Sequence, residues 1–297
     1  MAERLDDLAA SWRRDLRAAD KAPRTITIYG QSVRFFAAWL AAQGRPETTE
    51  SLTKHAVSSW LGELSERNQP QTVLTRHKGM RRFTRWLLAE GEITVDPMAN
   101  LDQPRPEPKP VPVLTDADVA ALVKVCSGTT FRDRRDLAVL RVLFDTGCRI
   151  SECAGLSVDD LDLDLEVARV LGKGRKVRIV PFGAKTSRAL DRYLRARRAH
   201  PHADDRRLFL SQRGPMSADG IAYRLEVRAA QAGVEGLHAH RFRHTAAHAW
   251  LAGGGQERDL MRLMGWTSEA MLDRYGSSAA DERARAAARR MRLGDRL

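Results

Sequence analysis

Cysteine is scarce in this chain of 297 residues: there are three, Cys126, Cys148 and Cys153. They lack the paired CxxC spacing of a zinc site, and an odd number argues against a disulfide framework. They read as small buried thiols in a reducing cytoplasm. No apolar run approaches the roughly 18 residues that a membrane span requires. The opening stretch, Met1 to Arg14, is charged and mixed in sign, unlike a secretory leader. There is no internal repeat and no long low-complexity tract. These absences lead us to expect a soluble, cytoplasmic protein with no membrane partner.

Other features point to a nucleic acid. The hydrophobic share is 43%, enough to build true cores. Lys and Arg number 50 against 38 Asp and Glu, a net charge of +12. Such an excess fits a polyanionic partner, with nucleic acid ahead of a membrane surface. The length allows one large domain or two ordinary ones.

The second choice is favoured by a run of alternating prolines at residues 103–112, Gln-Pro-Arg-Pro-Glu-Pro-Lys-Pro-Val-Pro. Proline fixes φ and removes a backbone donor, so this run is neither helix nor central strand and reads as a stiff linker. We therefore expect a domain over 1–102, the linker at 103–112 and a second domain over 113–297. The first reads as helical. Tyr29, Val33, Phe36, Ala37 and Leu40 share one helical face, as do Val73, Met80, Phe83, Trp86 and Leu87. Gly44-Arg45-Pro46 and Asn68-Gln69-Pro70 act as breaks. Arg76, Lys78, Arg81, Arg82 and Arg85 place five cations on one helix. A solvated helix face would look the same.

Beyond the linker, Thr115 is a good N-cap with Asp118 three residues on, resembling a capping box. Arg135 to Phe144 continues at helical spacing, and a glycine break at Gly147 precedes a new helix. Residues 166–171 and 177–182 favour strands, joined by Gly172-Lys173-Gly174-Arg175-Lys176 as a hairpin turn. From about residue 184 most of the chain reads helical, and 281–292 is Ala/Arg-rich and helix-prone.

Several side chains in this half could work on a phosphodiester. Arg149 follows the glycine break, Lys173 sits at a turn tip between glycines, and Arg243 lies in a His/Arg-dense helix start. Two guanidiniums can clamp the non-bridging oxygens of a pentacoordinate phosphorus, which metal ions do elsewhere. A lysine on a turn can protonate a leaving oxygen, and a histidine can handle the nucleophile's proton. Of the four tyrosines, Tyr29, Tyr193, Tyr223 and Tyr275, the last follows Gly265-Trp266-Thr267-Ser268-Glu269 near the C-terminus. A phenol with a pKa of about 10 needs cationic neighbours to become a nucleophile. His240, His244 and His248 share a helix face, a spacing that could suit zinc. Arg241 and Arg243 crowd them with positive charge and no HExxH glutamate is present, so no metal is expected.

These boxes, in this order, resemble the tyrosine recombinase (phage integrase) family. The first is Thr146-Gly147-Cys148-Arg149-Ile150-Ser151-Glu152, running on to Leu156. The strand-turn lysine is Gly172-Lys173-Gly174. The second box is His240-Arg241-Phe242-Arg243-His244-Thr245, and the last is Leu263-Met264-Gly265-Trp266 with Tyr275. The second box has two registers, since His238-Ala239-His240-Arg241 also fits; His240 and Arg243 are taken because His-Thr follows. Most members carry His where this chain has Trp266, and an indole can only donate, so Trp266 would contact a phosphate oxygen or buttress Tyr275. Early residues Thr25 and Tyr29 and the stretch from Thr72 to Trp86 resemble the family's core-binding domain. The resemblance thus spans nearly the whole chain, and the lack of a long N-terminal arm-binding segment leans toward Xer-like members.

The resemblance implies a mainly α protein with a small antiparallel β-sheet. It implies a SAM-like core-binding domain followed by a DNA breaking-rejoining domain, closing on DNA like a clamp. Its catalytic residues would be Tyr275, Arg149, Glu152, Lys173, His240, Arg243 and Trp266. Arg76, Lys78, Arg81, Arg82, Arg85 and Lys176 would contact DNA. No cofactor is implied. The partner would be double-stranded DNA with an inverted-repeat site, bound as a homotetramer formed from free monomers. Two alternatives share the scaffold: a type IB topoisomerase-like relaxing enzyme and a catalytically silent DNA-binding regulator.

Overall fold

The computed structural model describes residues 3–106, 112–172, 174, 176–269, 271, 272, 284, 285 and 288–291. The chain divides into two compact units, Met1–Pro108 and Lys109–Leu297. Residues 107–111 of the proline run lie outside the described residues.

The first unit is built from α1 (Leu5–Ala18), α2 (Pro23–Ala42), α3 (Lys54–Arg67) and α4 (Pro70–Glu90). Proline opens α2 and α4 in the first turn, where a missing N–H costs nothing. Thr53 caps α3 by accepting from the Ala56 N–H, and Gly91 ends α4 in the left-handed conformation. The apolar stripes converge on one core in which Trp12, Val33, Phe36, Leu40, Trp60, Met80, Phe83 and Leu87 are buried. Tyr29 and Trp86 pack at its margin. Trp12 meets Phe83 at 5.2 Å between ring centroids, and Phe36 meets Trp60 edge-on at 5.4 Å.

The second unit begins with α5 (Asp116–Val125) and α6 (Phe131–Thr146). Both start in reciprocal capping boxes, Thr115 with Asp118 and Thr130 with Asp133. After the short α7 (Ile150–Gly155) come β1 (Leu161–Asp162), β2 (Val167–Leu171) and β3 (Val177–Pro181), an antiparallel sheet in that order. Val170 opposes Arg178 and Leu171 opposes Val177, so β2 and β3 form a hairpin. Next are α8 (Ala184–Arg197), the two-residue pair β4 (Leu210–Ser211) and β5 (Gly214–Pro215), and α9 (Ala218–Ala232). Then come α10 (Ala239–Ala252) and α11 (Glu257–Met264). The short strands β1, β4 and β5 were not anticipated; two residues are too few to show a period of two. Of the helix-prone stretch 281–292, only 284, 285 and 288–291 are described, and these are helical.

Helix α6 is central, packing on α8, α9 and α10. Inside this packing, Asp136 is 3% exposed and accepts from Arg135, Arg224 and Arg228. Arg228 also donates to Asp133 at 2.7 Å, which ties α9 to the first turn of α6. A smaller apolar cluster, Ala246, Ala247, Leu251, Leu260, Met264 and Trp266, joins α10 to α11. All three cysteines are buried and free. Burial pushes the Cys126 thiol up to about 12, which leaves it unreactive. No helix among the described residues is long and apolar enough to cross a membrane.

Candidate active site

The site grows from the end of α6. Gly147 closes that helix with φ of 56°, a conformation that costs a side-chain residue energy. A Cβ there would also strike the Met264 side chain, so the last box packs directly on the first. Two residues on, Arg149 is the N-cap of α7 with extended backbone. Glu152 folds back to accept the Arg149 N–H at 2.8 Å and its Nη1 at 2.9 Å. The Arg149 side chain is 36% exposed, so its guanidinium is tethered and still faces solvent.

Glu152 has a second partner that sequence reasoning missed. Arg178 on β3 donates to Glu152 through Nη2 at 2.6 Å and Nη1 at 3.1 Å, and through Nε to the Leu263 carbonyl at 2.8 Å. A signal for it existed. Val177 and Ile179 face outward, while Arg178 shares the inward face of the strand with buried Val180. A cation on the buried face of a strand calls for a carboxylate. Burial alone would raise the Glu152 carboxyl. The hydrogen bonds from Arg178 and Arg149 and the Arg178 charge outweigh it and hold the group below its usual range.

Arg243 arrives from α10 and is 1% exposed. Its Nη1 donates to the Gly147 carbonyl at 2.7 Å and its Nη2 to the Met264 carbonyl at 2.6 Å. The guanidinium carbon lies 5.4 Å from the Trp266 ring centroid, a cation–π distance. Trp266 itself is buried just past α11, its backbone N–H bound to the Met261 carbonyl. Arg241 turns elsewhere, donating to the carbonyls of Pro112, Val113 and Glu235. Arg243, and not Arg241, is thus the guanidinium that joins the Gly147 turn to the end of α11. His240 stands exposed in the first turn of α10, its ring 5.1 Å from buried His244 and edge-on to it.

Arg149, Glu152, Arg243 and Trp266 are thus brought together, with Arg178 added. Lys173 and Tyr275 lie outside the described residues. The β2–β3 hairpin is closed by the Gly172 N–H on the Lys176 carbonyl at 2.8 Å, and Lys176 is exposed.

The five cations of α4 separate. Lys78, Arg82 and Arg85 are exposed and Arg81 is half-buried, all on the side away from the core. Arg76 lies on the opposite side, its Nη1 3.4 Å from the Ile28 carbonyl and its guanidinium 4.6 Å from the Phe35 ring centroid. Burial, together with the nearby Arg34 charge, lowers its pKa.

The phage integrase family domain matches residues 112–282, and the phage integrase N-terminal SAM-like domain matches residues 8–91. Tyrosine recombinase XerD of Bifidobacterium longum is 31% identical over 267 residues, 86% of this chain and 86% of its own. Tyrosine recombinase XerD of Corynebacterium glutamicum is 32% identical over 272 residues, 86% and 88% of the two chains. The Tn1549 transposon integrase in complex with a circular intermediate DNA has the same fold, with a TM-score of 0.75 at 20% identity over 97% of this chain and 99% of that one. So does the XerH recombinase bound to palindromic difH substrate, with a TM-score of 0.75 at 16% identity over 91% and 81%. Fold and sequence together define the class of this protein, a tyrosine site-specific recombinase. The chain belongs to the phage integrase family, among its Xer-like members.

Proposed function

We propose that the protein cuts and rejoins double-stranded DNA at an inverted-repeat site through a covalent bond to Tyr275. The observation that carries this reading is the convergence of Arg149, Glu152, Arg243 and Trp266, from three separate stretches of chain, on one place.

Each residue then has a role. Tyr275 attacks the scissile phosphorus and forms a 3′-phosphotyrosyl bond, releasing a 5′ oxygen. Arg149 and Arg243 stabilise the charge that grows on the non-bridging oxygens. Lys173 protonates the leaving 5′ oxygen, and His240 assists proton transfer to and from the phenol. Trp266 packs under Arg243 and braces the nucleophile's segment. The phosphotyrosine retains the energy of the broken phosphodiester, so a 5′ hydroxyl of a partner duplex can reverse the step. Two such exchanges pass through a Holliday junction, and the chemistry asks for no nucleotide or cofactor.

The unit ending near residue 102 serves as the core-binding domain and residues 113–297 as the catalytic domain, joined by the 103–112 linker. Lys78, Arg81, Arg82 and Arg85 of α4, with Lys176 from the hairpin, contact DNA, mostly at phosphates, while Arg76 packs on α2. Free monomers assemble as a homotetramer on two duplexes, in the cytoplasm at the nucleoid.

A nicked duplex that loses its 5′ fragment after cleavage tests this reading. The duplex is built on the site that the protein selects from a random-sequence pool. Wild type should accumulate a protein–DNA adduct, and Tyr275→Phe should form none. Relaxation of supercoils without pairing of sites would favour a topoisomerase instead. Tight binding with no adduct would favour a silent regulator.

A further inference from the structure

We infer that Arg178 is a positioning residue for Arg149, acting through Glu152, an inference that rests on the recombinase reading above. The Glu152 carboxylate is saturated. Its Oε1 accepts from Arg149 Nη1 and Arg178 Nη1, and its Oε2 accepts from the Arg149 N–H and Arg178 Nη2. An ionised carboxylate offers about four lone-pair sites, so this arrangement leaves it little freedom to rotate. With Arg149 alone, Glu152 could swing; the forked Arg178 contact fixes its plane, and Arg149 inherits that orientation.

Charge balance gives a second reason. Glu152 paired one-to-one with Arg149 would cancel the positive charge that a phosphate must feel. Arg178, with its side chain 12% exposed, supplies the compensating cation from beneath. The triad of two guanidiniums and one carboxylate keeps a net positive charge, and Arg149 is its solvent-facing member.

The surroundings are shaped around this guanidinium. A Cβ on Gly172 would approach Arg178 Nη1 to 3.1 Å, and a Cβ on Gly265 would lie 3.5 Å from the same atom. The side chain therefore threads between the base of the Lys173 hairpin and the end of α11. Its Nε bond to Leu263 anchors it there. One residue links the first box, the hairpin and the last box.

The test uses the full-length protein and the selected nicked duplex, in two forms. One carries the ordinary scissile phosphate. The other carries a methylphosphonate there, which replaces a charged oxygen by methyl and lessens the need for a positioned cation. With the phosphate, Arg178→Ala should slow adduct formation by about 10–100-fold at unchanged DNA affinity, as expected for loss of a residue that orients a catalytic group. Arg178→Lys should recover only part of this, since a lysine cannot bridge both carboxylate oxygens and Leu263 together. With the methylphosphonate, the losses in Arg149→Ala and Arg178→Ala should shrink together. In a Glu152→Ala background, Arg178→Ala should cost little more. Thermal unfolding of each variant separates misfolding from mispositioning, and Arg178→Lys keeps the question open to measurement if Arg178→Ala does not fold. Wild-type rates in Arg178→Ala, or an equal loss on both duplexes, overturn the inference while leaving the recombinase reading intact. Failure of the wild type to form any adduct instead overturns the recombinase reading, and the inference with it.

Discussion

Glu152 is a buried carboxylate held between two arginines, and its energetics follow from that. Its folded pKa lies below the ordinary glutamate value of about 4.3. Its contribution to stability is therefore complete above the unfolded pKa and is lost as pH falls through the lower folded value. Urea unfolding followed from about pH 6 down to about pH 3 should show this loss in wild type, together with that of Asp133, which is also held low by its partners, and Glu152→Gln should make the decline shallower. At neutral pH the same substitution should cost about 3 kcal/mol, because it leaves Arg178 buried without its countercharge. An unchanged acid limb in Glu152→Gln would show that the pair adds nothing to folding. Arg149 and Glu152 could be chosen from the first box alone, three residues apart. Arg178 could not, since its partner lies 26 residues away.

At the scale of elements, the second unit is organised by α6. Its N-terminus is fixed by the Thr130–Asp133 capping box, its middle by Asp136, and its C-terminus by Gly147, where the site starts. Thr130→Ala should lower stability by about 1 kcal/mol in a denaturant titration, the usual cost of a lost N-cap. Cleavage should be little altered, since the cap lies at the other end of the helix from Arg149. Local signals made these elements readable. The Thr115 box, the prolines opening α2 and α4 and the β2–β3 hairpin are each written within a few neighbouring residues. The strands β1, β4 and β5 were not readable, since such short pairings are imposed by the packing around them.

For the whole molecule, the net charge of +12 matters less than where the cations lie. Salt dependence of DNA binding counts the phosphates each protein neutralises. Alanine at Lys78, Arg82 or Arg85 should each lower the slope of log affinity against log salt by about 0.9. Arg76→Ala should leave the slope in place and instead reduce stability, because Arg76 packs on α2 and Phe35. Filter binding across a salt series and a thermal melt would distinguish the two classes. A slope lowered equally by Arg76→Ala would mean that Arg76 reaches DNA as well.

The sequence by itself determined the family, the helical N-terminal segment, the hairpin and the boxes that hold the candidate catalytic residues. The family and its boxes rest on the resemblance of those boxes in their order; the helices and the hairpin rest on spacing, capping and backbone preference, which act over a few neighbouring residues. Only the tertiary structure decided which cation meets which acceptor. Arg243 rather than Arg241 reaches the Gly147 carbonyl, 96 residues away. Arg178 completes the coordination of Glu152, and Arg76 leaves its neighbours to pack inward. Such pairings depend on how distant segments fold back on one another, and a one-dimensional pattern holds no record of that distance.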